Sequence, residues 1–139
     1  RSGERGAAPR AEEILERMEQ LYKNGDERVR PTSVAVNAVL NAWAKSREKG
    51  AAERAEIILD RMEALEASGR MELRPTRVSF NTIITAWARS GARDAAQRAE
   101  MVLERMAKYE TSVRNSDVKP DIISYGGVIS AWARYGGEN

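Results

Sequence analysis

The feature that most constrains this chain is a helix-forming stretch that occurs three times. Residues 74–91 have a close copy 44 residues earlier and another 45 residues later, so Trp43, Trp87 and Trp132 stand at one phase of a repeat. Within the central copy, Phe80, Ile83, Ile84 and Trp87 fall at i, i+3, i+4 and i+7, the spacing that places four large apolar side chains on one face of an α-helix. Val36, Val39, Leu40 and Trp43 repeat that face, as do Tyr125, Val128, Ile129 and Trp132. Before and between these copies lie helices with the same spacing: Ala11, Ile14, Leu15, Met18; Ala55, Ile58, Leu59, Met62; and Ala99, Val102, Leu103, Met106. No alternating run bounded by turn residues competes as a strand.

A helix pair of this length cannot bury its apolar face alone, whereas stacked pairs share a continuous core. The expected fold class is therefore all-α, a right-handed α-α superhelix (solenoid) of antiparallel helix pairs. The chain reads as one repeat domain over 1–139: a half-unit 1–32, full units 33–76 and 77–121, and a leading half-unit 122–139. Arg1-Ser2-Gly3 matches Arg89-Ser90-Gly91, so the segment is expected to be an excerpt of a longer array.

The connectors repeat too. Each second helix is followed by a polar segment (24–30, 66–74, 112–119) ending in a basic residue and Pro31, Pro75 or Pro120, then Thr32, Thr76 or Asp121. Proline drives its predecessor out of helical geometry, and Thr or Asp can accept a hydrogen bond from an unpaired first-turn amide. Short turns at Ser46–Gly50 and Ser90–Arg93 join the helices within a pair. Ala42, Ala86 and Ala131, just before the tryptophans, would let successive first helices lie close. The charged residues of the second helices, such as Glu56, Asp60 and Arg61, read as a solvated outer face.

Function rests on a second stripe of the first helices. Val78, Asn81, Thr85 and Arg89 are spaced three, four and four; Val34, Asn37, Asn41 and Lys45 repeat them, and so do Ile123, Gly126, Ser130 and Arg134. Each set thus runs from an apolar residue through a small polar position to a cation. An amide offers donor and acceptor together, which reading a base edge needs, and a cation two turns away suits a phosphate. The net charge is only +2, so any basic footprint must be local. Cysteine and histidine are absent, which removes thiolate and imidazole metal sites, histidine bases and nucleophilic cysteine. The carboxylates form no convergent set on the helical template, so no catalytic residue, metal or cofactor is assigned. No apolar run is long enough to span a membrane.

Pro-Thr or Pro-Asp, a short apolar step, Asn, the Ala-Trp-Ala-Lys/Arg helix end and the Ala, Leu and Met of the second helix together resemble the pentatricopeptide repeat family over the whole chain. The match is most specific in residues 118–125 and in the asparagine column, although the units exceed the family's usual length of about 35 residues. The resemblance implies single-stranded RNA binding at about one base per unit, in organellar RNA processing, stability or translation, with a mitochondrial or plastid location. It implies base reading by Asn81 with Asp121, toward uracil, and by Asn37 with Thr76, toward pyrimidines. It also implies base flanking by Val34, Val78 and Ile123, and phosphate contact by Lys45, Arg89 and Arg134. No small-molecule substrate is implied. Gly126 has no side chain to read a base, and Gly126-Gly127 weakens its helix by about 2 kcal/mol relative to alanines.

Four alternatives stand beside this reading. The asparagines could instead bond a neighbouring unit, and the basic column could complement helix C-termini. The tryptophans could be stacking platforms, although their place on the core stripe favours packing. The rival function is a peptide- or protein-binding scaffold of the tetratricopeptide or armadillo kind.

Overall fold

A computed structural model describes residues 6–46 and 48–135. The expectations for Arg1–Gly3, for Arg47 within the 46–50 turn and for the tail of the last half-unit at 136–139 lie outside the described residues. Among the described residues the chain is all-α, with six helices and no strand: α1 (Ala7–Lys23), α2 (Ser33–Lys45), α3 (Ala51–Ala67), α4 (Arg77–Ala88), α5 (Ala95–Val113) and α6 (Ile122–Tyr135).

Local sequence sets the boundaries. After α1 and α3 the chain turns through Gly25 and Gly69 in the left-handed region (φ 108° and 115°), which costs glycine little. The following amides then reach back to helix carbonyls, Asp26 to Leu21 and Arg70 to Leu65, both at 3.0 Å. Arg114 takes that conformation after α5 (φ 54°). Each connector contains a 3-10 turn, Glu27–Val29, Met71–Leu73 or Ser116–Val118. These connectors are less polar than their composition suggests, because Leu73 and Val118 are buried and anchor the chain just before the proline.

Substantial helix packing is confined to helices one or two places apart in the chain. First helices α2, α4 and α6 pack directly on one another in sequence, and each second helix packs on the first helices beside it. Second helices of successive pairs meet chiefly through long side chains. The core follows the expected stripes in the middle of the molecule: Val36, Val39, Leu40, Phe80, Ile83, Ile84 and the second-helix residues Ile58, Leu59, Met62, Val102 and Met106 are buried. Ala86 and Ala131 are buried as well.

The stripes fail at the two ends. Tyr125, Ile129 and Trp132 on α6 are exposed, as is Ile14 on α1, although each sits at a position expected in the core. The reason is architectural, since α6 has no second helix following it among the described residues and α1 has no first helix before it.

Candidate nucleic-acid interface

The asparagines lie where successive first helices meet. Asn37 on α2 donates from Nδ2 to Thr76 Oγ1 (3.1 Å) and accepts at Oδ1 from Ser79 Oγ (2.6 Å). Asn81 on α4 repeats this one unit later, donating to Asp121 Oδ1 (3.2 Å) and accepting from Ser124 Oγ (2.6 Å). The two pairs grouped from sequence, Asn37 with Thr76 and Asn81 with Asp121, are therefore brought together. They are linked to each other across units as well as partly open to solvent. An amide has two N–H donors and an oxygen with two lone pairs, so each asparagine keeps one donor and one acceptor beyond these bonds.

Sequence reasoning missed the serines. Ser79 and Ser124 are wholly buried. Their hydroxyls accept from the backbone N–H of Thr76 (2.9 Å) and Asp121 (3.0 Å) while donating to the asparagines. In return Thr76 Oγ1 and Asp121 Oδ1 accept from the backbone N–H of Ser79 (3.4 Å) and Ser124 (3.1 Å). One hydroxyl thus closes a helix cap and ties down the amide of the preceding unit. The signal was the spacing of three from Thr76 to Ser79 and from Asp121 to Ser124, that of a capping box. Thr32 corrects the expectation that every such residue caps its helix, because Ala35 stands in place of the serine and the Thr32 side chain makes no capping bond.

Asp121 carries the charge at the second junction. Burial alone would raise its pKa, but hydrogen bonds from the Ser124 backbone and from the Asn81 and Ser124 side chains, with the Arg77 charge 3.6 Å away, hold it below its ordinary value. Arg77 also donates to the carbonyls of Lys119 (2.9 Å) and Ser116 (3.2 Å), clasping the connector.

Around these pairs the second stripe is solvent-accessible. Val34, Val78 and Ile123 are exposed at 77%, 57% and 60%. Lys45 and Arg89 are exposed at the far ends of α2 and α4. Arg134 is exposed too, but its Nη1 donates to the Ala88 carbonyl at the end of α4 (3.5 Å), so it partly serves a helix C-terminus. Gly126 faces open space, where a Cβ would meet nothing, whereas a Cβ on Gly127 would lie 2.7 Å from Cγ2 of Ile84. Gly127 therefore lets α6 approach α4 closely.

The opposite edge is ionic. Trp43, Trp87 and Trp132 each donate from the indole N–H to a glutamate of the preceding second helix, Glu12 (3.1 Å), Glu56 (2.8 Å) and Glu100 (2.9 Å). Trp43 and Trp87 are buried, consistent with packing. Arg54 and Arg61 of the next second helix converge on Glu12; Arg98 and Arg105 converge on Glu56. Arg105 also reaches Asp60 (2.7 Å) and Glu63 (2.8 Å). Of the residues expected on a solvated outer face, Asp60 and Arg61 are exposed and Glu56 is partly buried, and all three take part in an ion network between units. Its signal was the glutamate that precedes each tryptophan by 31 or 32 residues. Beside it, α1 and α3 leave an open cleft of about 480 Å³ with Leu15, Val36, Met62 and Leu73 in its lining and Glu16 and Glu19 among its charged residues.

No cluster of three or more potential metal-ligating side chains occurs among the described residues, and no helix there is long and apolar enough to cross a membrane. No family model matches the chain, and neither a curated protein nor a solved structure is significantly similar to it.

Proposed function

We propose that this chain is a pentatricopeptide-repeat-like right-handed solenoid that binds single-stranded RNA along the edge formed by α2, α4 and α6. About one base is read per unit, and the setting is organellar RNA processing, stability or translation. The observation that carries the reading is the conjunction at each junction of first helices. An Asn–Thr or Asn–Asp pair with unused donor and acceptor capacity sits beside an exposed apolar residue, with an exposed cation two turns away. An extended polyanion with flat bases has a use for each of these groups. The superhelical arrangement is supported by first helices that pack directly while second helices are held apart by long ionic side chains. That difference bends a stack so that first helices line its inner side.

The deciding experiment is a titration with short homopolymeric RNAs at several salt concentrations. A log-log salt slope of about −0.7 per contacted phosphate and a preference for uridylate are expected. Asn81→Ala should lower affinity for the uridine site by about 1–3 kcal/mol, and Arg89→Ala should weaken all sequences alike. Because Asn81 also ties two units together, Tm is followed in parallel. Equal losses over all four bases, matched by the fall in Tm, would assign the asparagines to unit stacking alone. The cleft between α1 and α3 favours a second reading, a scaffold for a peptide with apolar anchors and basic flanks. Peptide affinity with little salt dependence and no RNA binding would establish it.

A further inference from the structure

The cleft between α1 and α3 lies where the next unit has a pair of aromatic rings, and we infer that it receives a phenylalanine side chain of a partner peptide whose neighbouring residue is arginine. The inference gives the peptide reading above a definite anchor and is independent of what the first-helix edge binds.

One unit later the equivalent place is full. There Phe80 on α4 meets Tyr109 on α5, with ring centroids 5.6 Å apart and planes tilted by 45°. Phe80 is wholly buried, and the Tyr109 hydroxyl donates to Glu66 of α3 (2.8 Å). One period earlier the same positions hold Val36 and Leu65, and both line the cleft of about 480 Å³. Two aliphatic side chains in the place of two rings leave space that a packed interior ordinarily fills. Its size falls within the range of about 300–1,000 Å³ that ligand pockets take.

The cleft belongs to an internal junction. Glu12, Glu16 and Glu19 of α1 line it, and their counterparts on α3, Glu56, Asp60 and Glu63, form the face that α3 turns to Arg105 of α5. Ile58 and Met62 form the facing wall on α3, whereas their counterparts on α1, Ile14 and Met18, are not part of the cleft. A repeat packed before α1 would therefore meet a different face of that helix and leave the cleft as it is.

The charge on the rim selects the neighbour of the ring. At the later junction Arg105 approaches Asp60 and Glu63 to 2.7 and 2.8 Å. At the cleft its counterpart Arg61 stays 4.0 Å from Glu12 and 3.9 Å from Glu16. Glu12 and Glu19 are already bonded to Arg54 and Arg70, and Lys23 lies 3.9 Å from Glu19. Glu16 is exposed and accepts no hydrogen bond among the described residues, so it is the carboxylate with acceptor capacity left. The acid that Tyr109 uses, Glu66, has Tyr22 as its counterpart on α1, so a phenol in the cleft would find no matching acceptor. A phenylalanine ring beside an arginine meets both conditions: the ring takes the place of Phe80 and Tyr109, and the guanidinium reaches Glu16.

The test titrates the chain into a fluorescently labelled peptide that carries one Phe-Arg step in a Gly and Ser background, read by anisotropy. Saturable binding with a Kd at or below about a millimolar is expected, with NMR shifts at the methyl groups of Val36 and Leu65. The same peptide with alanine for phenylalanine should bind on the order of tenfold more weakly. Glu16→Gln should weaken binding about threefold and leave Tm unchanged. Val36→Phe with Leu65→Tyr fills the cleft with the residues of the next unit, and should keep helicity while lowering affinity on the order of tenfold. Leu65→Phe alone serves if the double variant does not fold. No saturable binding overturns the proposal. So does equal affinity for the alanine peptide, or binding undiminished by the filled cleft. The absence of RNA binding would leave each of these outcomes as it is.

Discussion

The first-helix and second-helix edges of the same junctions are built by opposite means. Along α2, α4 and α6, short side chains join units, with each asparagine bonded to a buried serine at 2.6 Å and to Thr76 or Asp121 at 3.1 or 3.2 Å, and the helices touch. Between the second helices, long charged side chains span the gap: Arg105 alone reaches Glu56, Asp60 and Glu63. A short side chain that must meet two partners fixes spacing and register, whereas a guanidinium on a flexible stem tolerates displacement. The comparison assigns register to the first-helix edge and most of the electrostatic stabilisation to the second-helix edge.

The largest expected effect comes from the second-helix edge. Glu12 is buried, accepts from Trp43, and is paired with Arg54. Burial would raise its pKa, yet the bonds from Arg54 and Trp43 and the nearby Arg61 hold it lowered. Glu12→Ala strands both donors and should cost about 3 kcal/mol in chemical denaturation. A loss under 1 kcal/mol would show that the second-helix network is solvated after all. Next comes the contact of α6 with α4, where Gly127→Ala drives a Cβ into Ile84 and should cost about 2 kcal/mol. Gly126→Ala, facing open space, should instead stabilise by about 1 kcal/mol. Opposite expectations for adjacent glycines make this pair easy to refute.

Smaller again is Ser79→Ala, which removes the bond to Asn37 and that to the Thr76 N–H, for about 1–2 kcal/mol. Ser124→Ala should match it if the first-helix junctions are equivalent. The smallest effect separates them. Asp121 has a folded-state pKa below its ordinary value of 3.8, so its contribution is present above that value and fades as pH falls through the lowered folded pKa. Thr76, in the equivalent place, does not titrate. In NMR spectra the Asn81 side-chain amide should shift on acidification below about pH 4 while that of Asn37 stays still. Coincident shifts would mean that the acid effect is global rather than local.

Much of this architecture was legible in one sequence because a repeat displays the same solution three times. The apolar stripes and the prolines before first helices could be read, since each is a matter of local spacing or of phase, whereas the pairing of Asn37 with Thr76 and of Asn81 with Asp121 came from the family resemblance. The serine ties and the Trp–Glu–Arg network could not, although both recur. Their bonded members lie 31 to 49 residues apart on different helices, and helical periodicity within one element says nothing about which face meets which neighbour.

By itself the sequence determined that the chain forms paired helices, where they start and stop, and which of their faces are apolar, because those follow from side-chain spacing and backbone preference. Only the tertiary structure decided what each face meets. It placed Asn37 and Asn81 between units as well as at the surface, turned a charged face into an inter-unit network, and left Tyr125 and Ile129 bare where Phe80 and Ile84 are covered. The physical reason is that burial and hydrogen-bond satisfaction belong to contacts between elements, and identical residues at identical phase differ once one of them lacks a neighbour.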